Sequence, residues 1–222
     1  DLTTYWGLNN AYVYSEFMHE AVNQIYKLPY GNITIPIKVN RALHNIGVNQ
    51  SIIEECTGDY MDIDPFILHV FEKKKKCSFC NPYFNELEQV YLKLPQNKNV
   101  HFGARAIMES MAYLIEKEIA PGGTSVYEYP YKAAESVLHI IYPELAADAL
   151  NIIALCDMSL QFSNPAKIFL HTAKDFKSRN YLPQKPEEIY DYFYNTPCMH
   201  MGKESTLIQG LVEIGITTCE RL

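Results

Sequence analysis

Six side chains in this sequence have types and spacings suited to chemistry: His101, Arg105, Glu109, Glu135, His139 and Asp157. The first three are four residues apart, so on a helix they stack along one edge, with Glu116 two turns further on. Glu135 and His139 form a second i,i+4 pair. Asp157 sits inside an apolar run, ALCDMSL, where a carboxylate must be paired, hydrogen-bonded or neutral. Packing the helices that carry these residues predicts one polar pocket within an apolar bundle. Arg105, with a fixed charge and a planar fork of donors, and His101 beside it are the residues expected to meet an anionic ligand. Glu109, Glu135, His139 and Asp157 are the acid–base candidates, His139 because imidazole titrates near neutrality. The competing reading is structural: Arg105 pairs with Glu109 and Glu135 with His139, each pair closed within its own helix.

Two further patterns have metal-ligand character. Cys77 and Cys80 have the spacing of half a zinc site, and the compact candidate for the other half is Cys198 with His200. Glu16 and His19 make a Glu-x-x-His pair of the kind used in four-helix carboxylate centres holding iron or manganese. Such a centre needs a second pair at the same spacing, and Glu135 to His139 is one residue too wide. Zinc is the metal expected at the cysteines; iron or manganese has only half of its pattern.

The elements that must position these groups read as helices. Residues 101–119 place Ala104, Ile107, Met108, Met111, Leu114, Ile115 and Ile119 on one broad apolar face, and Phe102, Gly103, Ala106 and Ser110 leave little that is wet opposite it. This stretch is expected to be the central helix, with 130–142 and 143–162 as its neighbours. Asp64-Pro65, Asn81-Pro82 and Asn164-Pro165 each set a capping side chain before a proline at a first helical position, predicting helices over 65–75, 82–94 and 165–176. Apolar periodicity predicts others at 9–26, 36–46, 50–56 and 205–221, and Pro186 starts one more. Lys73 to Lys76 then reads as a solvated helix end. The expected fold is all-α: an irregular or orthogonal bundle of about nine helices. It divides into an N-terminal subdomain over 1–76 and a main bundle over 77–222, or forms one continuous domain.

Composition narrows the function classes. An apolar fraction of 48% with 20% charged residues is that of a globular chain. A net charge of −7 disfavours phosphate backbones, so no nucleic-acid partner is expected. No apolar run reaches the roughly 18 residues a membrane span needs. Six cysteines in 222 residues are too few for a disulfide scaffold and fit a reducing cytoplasm. Phosphate-binding glycine loops, H-E-x-x-H and the G-x-S-x-G elbow are all missing. The expectation is a soluble helical domain that binds a small polar or anionic ligand, or a partner segment, between helices. A metal-dependent or acid–base enzyme is one alternative, and a structural or interaction module of a larger protein is another.

Overall fold

Strands, not helices, occupy two of the stretches that follow the proline signals. The computed structural model describes residues 5–27, 41–76, 86–121, 126–200 and 203–206. β1 (His69–Lys76) overlaps the expected 65–75 helix and runs one residue past it, and within the expected 82–94 helix lies β2 (Glu86–Lys93). With β3 (Asn99–Phe102) they form an antiparallel sheet in the order β1-β2-β3. Among the described residues this sheet joins seven helices, so the fold is mixed α/β and the all-α expectation is corrected. The physical cause is a period of two. Val90 and Leu92 of β2, with Val100 and Phe102 of β3, are buried on one face, while Tyr91 and His101 alternate to the other.

The lysine run is likewise not a helix end. Lys73 to Lys76 form the outer half of β1, at the sheet edge, with Lys74 opposite Glu88 and Lys76 opposite Glu86. Opposite charges across a strand pair favour that register, and charged side chains on an edge discourage pairing with another chain. The hairpin formed by β1 and β2 spans the division expected at 76/77.

The helices follow the expected pattern more closely. α1 (Tyr5–Tyr26) is followed by α2 (Arg41–Thr57), which merges two expected helices into one. α3 (Ala104–Ile119) is shorter than expected, because His101 and Phe102 belong to β3 and Gly103 is the residue before the first turn. α4 (Ala133–Ile141) follows, then a 3-10 turn, and then α5 (Ala149–Ser159), whose Asp148 caps the Leu150 N–H at 2.9 Å. α6 (Pro165–Ser178) begins at an Asn-Pro signal that acts as read: the Asn164 side chain accepts from the Lys167 N–H. Asp64-Pro65 starts no helix, and Asn81-Pro82 lies outside the described residues. α7 (Pro186–Asn195) carries Glu187 and Glu188 in its first turn, favourable at the positive end of the dipole. β4 (Pro197–His200) pairs with β5 (Lys203–Thr206), so residues 205 and 206 of the expected last helix are extended. No helix among the described residues is long and apolar enough to cross a membrane.

Two contacts set the geometry. At the first, the end of α2 crosses the β3–α3 junction with no room for a side chain. A Cβ on Gly103 would stand 2.4 Å from the Gly58 nitrogen and 2.5 Å from the Thr57 oxygen. The crossing is tied by hydrogen bonds: Asp59 N–H donates to the His101 carbonyl at 2.9 Å, and His101 N–H donates to the Asp59 carboxylate at 2.8 Å. The buried Tyr129 hydroxyl donates to the carbonyls of Asp59 and His101, at 2.9 and 3.1 Å. At the second, the apolar face of the sheet meets α6, where Phe102 and Phe169 pack edge to face with centroids 5.8 Å apart.

Charges complete the α6 contact. Lys167 pairs with Glu88, and both His171 and Lys174 reach Glu72. Burial pushes the Glu72 carboxyl up, but the hydrogen bonds and charges of Lys174 and His171 outweigh it and hold the pKa below the usual value. A depressed carboxyl stabilises the fold above the ordinary carboxylate range and loses that contribution as pH falls through it. Glu72→Gln should therefore be less stable than the parent at neutral pH, by up to about 1 kcal/mol given its half-exposed partners. Thermal melts of the two proteins should draw together as pH falls below the ordinary glutamate value and through the depressed one, where the carboxylate takes up its proton. A gap that stays constant across that interval would mean Glu72 contributes by packing alone.

Candidate functional site

One polar edge of α3 carries Arg105, Glu109, Tyr113 and Lys117 at intervals of four, so they stand one above another. The stripe divides into two environments. At the N-terminal end the Arg105 guanidinium lies over the Tyr60 ring, 3.9 Å from its centroid. That contact is cation–π, not the ion pair with Glu109 considered from the sequence. Glu109 is half-buried one turn on. Desolvation, and then the charges of Glu109 and Asp62 with Tyr60, push the neighbouring Tyr131 hydroxyl up.

His101 is not on this helix. It ends a row of rings on the second face of the sheet, where Phe71, Tyr91 and His101 lie directly opposite one another on the three strands. The ring centroids are 5.7 Å apart from Phe71 to Tyr91 and 5.2 Å from Tyr91 to His101. Burial pushes the imidazole pKa down, with Asp59 and Glu55 acting against it, so the neutral ring is favoured.

The C-terminal half of the α3 stripe faces α4 across a cleft of about 360 Å3. Tyr113 and Lys117 line it from α3, Glu135, Ser136 and His139 from α4, and Glu128 and Lys132 from the segment before α4. Buried Ser110 fixes this arrangement: its hydroxyl donates to the Pro130 carbonyl at 2.8 Å and accepts from the Ala134 N–H at 3.1 Å. Two of the basic side chains have acidic neighbours. Lys132 donates to Glu128 at 2.9 Å, a hydrogen bond that raises the lysine pKa, and His139 Nε2 stands 3.8 Å from Glu135. Lys117 has no ion-pair partner among the described residues.

The six residues singled out by spacing are thus dispersed. Glu135 and His139 share the α3–α4 cleft. Arg105 is eight residues up α3 from Tyr113, about 12 Å at the helical rise, and Glu109 lies between them. Asp157 is on α5, where it accepts from the Tyr190 hydroxyl of α7 at 2.9 Å. Burial and that carboxylate push the Tyr190 pKa well above the usual phenol value. Cys77 and Cys80 lie outside the described residues, while Cys198 and His200 fall on β4 with side chains outside the description. Glu16 and His19 are both exposed on α1. Among the described residues no three His, Cys, Asp or Glu side chains come together as a metal site would require.

Tyr113, Lys117, Glu128, Lys132 and Ser136 were not read from the sequence. The signal was present for most of them. The Arg105–Glu109 interval simply continues through 113 and 117, and Lys132 precedes Glu135, Ser136 and His139 by three, four and seven. Compared with protein families, with curated proteins and with solved structures, the chain matches none.

Proposed function

We propose that the chain is a binding domain for a small polar ligand carrying a carboxylate or phosphate, taken up in the α3–α4 cleft. Lys117 carries this reading: it is a lysine lining a polar concavity of ligand size whose charge is not neutralised by an ion pair among the described residues. Around it the Tyr113 and Ser136 hydroxyls offer donors and acceptors. The acid–base alternative has less support. Glu109 and Asp157 lie outside the cleft, and only Glu135 and His139 of the four catalytic candidates line it.

The test is a titration of isotopically labelled protein with inorganic phosphate and with acetate, followed by NMR. Saturable shifts are expected at Lys117, Ser136 and His139 with at least one of the two. Lys117→Ala should weaken that binding about tenfold, the loss of one charge-assisted contact of roughly 1.4 kcal/mol. Arg105→Ala should leave it unchanged. Anion-induced shifts centred on Arg105 would move the site to the other end of α3, and shifts indifferent to Lys117→Ala would remove the cleft from consideration.

A further inference from the structure

A second concavity lies between the end of α6 and the outer face of α7, on different elements from the α3–α4 cleft. It is a solvent-open hollow of about 560 Å3 lined by Arg179, Tyr181, Glu188, Asp191 and Tyr192. Its two tyrosines are held from behind by one residue. Phe176 is fully buried and packs edge to face against Tyr181, with centroids 5.1 Å apart, and against Tyr192 at 4.8 Å. The chain turns back after α6 through Asn180, which adopts a left-handed conformation (φ 52), with the Tyr181 N–H donating to the Phe176 carbonyl at 2.8 Å. The aromatic walls are therefore set by the core, and the space between them belongs to the fold.

The charges around those walls do not cancel. Asp175 is occupied on both oxygens: the Tyr192 hydroxyl donates to one at 2.7 Å and Arg179 Nε to the other at 3.0 Å. Arg179 and Asp175 thus neutralise each other. One oxygen of Glu188 accepts from the Gln184 N–H at 3.1 Å and from the Tyr181 hydroxyl at 3.4 Å. Its second oxygen takes no described hydrogen bond, and the exposed Asp191 carboxylate has no ion-pair partner among the described residues. Glu188, Asp191 and Tyr192 fall within one turn of α7 and point to one side of it. The surplus is two negative charges beside two aromatic rings. Burial, followed by Glu188 and Asp191, pushes the Tyr181 hydroxyl up, in keeping with that negative field.

We propose that this cleft binds a small organic cation: an ammonium group on an aromatic or apolar stem. The stem would lie against Tyr181 and Tyr192, and the ammonium would be held by the free oxygens of Glu188 and Asp191. Aromatic faces attract cations electrostatically, and a carboxylate adds a charge-assisted hydrogen bond. An anionic ligand would meet the opposite field, so this site and the α3–α4 cleft select different ligands.

Benzylamine and its neutral isostere benzyl alcohol test the idea on the whole chain, with ring resonances of Tyr181 and Tyr192 followed by NMR. Benzylamine should shift both tyrosines saturably and bind about tenfold more tightly than benzyl alcohol, the margin one ammonium–carboxylate contact supplies. Asp191→Asn changes an exposed side chain and should abolish most of that margin without altering thermal stability. Glu188→Gln, which keeps an oxygen for the Gln184 N–H, should also reduce that margin, with a small loss of stability because a negative charge leaves the first turn of α7. Equal binding of amine and alcohol, or a margin that survives both substitutions, would overturn the proposal, as would shifts that never saturate.

Discussion

Gly103→Ala should destabilise the protein by about 3 kcal/mol, the upper end of what overpacking costs in a close-packed interior. The added Cβ would lie 2.4–2.5 Å from backbone atoms of Thr57 and Gly58, which cannot rotate away as a side chain does. Relief requires α2 to lift off the β3–α3 junction, stretching the hydrogen bonds among Asp59, His101 and Tyr129. Gly47→Ala is the control. A Cβ there meets nothing within 4 Å, and Gly47 lies inside α2, so alanine should stabilise by roughly 1 kcal/mol through helix propensity. Urea unfolding measures both. If the two substitutions give changes of the same sign, the crossing is not the tight contact described.

Phe169→Ala should be costlier still, at roughly 3–5 kcal/mol, because a fully buried ring is lost and the cavity left behind has rigid walls. It removes the aromatic contact of α6 with the apolar face of the sheet. The double substitution Phe102→Ala/Phe169→Ala should cost less than the sum of the single ones by about 0.5–1.5 kcal/mol, the usual coupling of an edge-to-face pair. Strict additivity in chemical denaturation would mean the two rings stabilise the fold independently.

The sequence revealed the helices well and the sheet poorly, for different physical reasons. α1, α4, α6 and α7 announce themselves through local signals: apolar residues at helical spacing, Asn164 before Pro165, and acidic residues after Pro186. A strand depends on its partners. Lys73–Lys76 has no β character by itself, and acquires it from Glu86 and Glu88 on the neighbouring strand. His101 misled for the same reason. Its interval to Arg105 is that of a helix, yet Gly103 between them is pressed against Gly58, a contact between residues 45 positions apart that no local pattern encodes.

For the site, the paired residues within one helix were legible and the meeting of helices was not. Glu135 and His139 lie 3.8 Å apart on one helix, the i,i+4 neighbours their spacing suggested, and both line the α3–α4 cleft. Which part of α3 they face is decided by Ser110 binding Pro130 and Ala134, and that places Tyr113 and Lys117, not Arg105, opposite them. Asp157 was correctly read as a carboxylate that needs a partner, and its partner is Tyr190 on α7.

The distance along the chain between the sheet and its cover has a consequence during synthesis. Phe102 emerges 67 residues before Phe169, which packs on it. At a translation rate of roughly 5–20 residues per second, that leaves an interval of about 3–13 seconds. For that time the apolar face carrying Val90, Leu92, Val100 and Phe102 has been made while α6 has not. A nascent sheet in that state is prone to pair edge to edge with another chain emerging from the same message. The four lysines along β1 put like charge on one edge of that sheet, and like charge on an edge disfavours such pairing there.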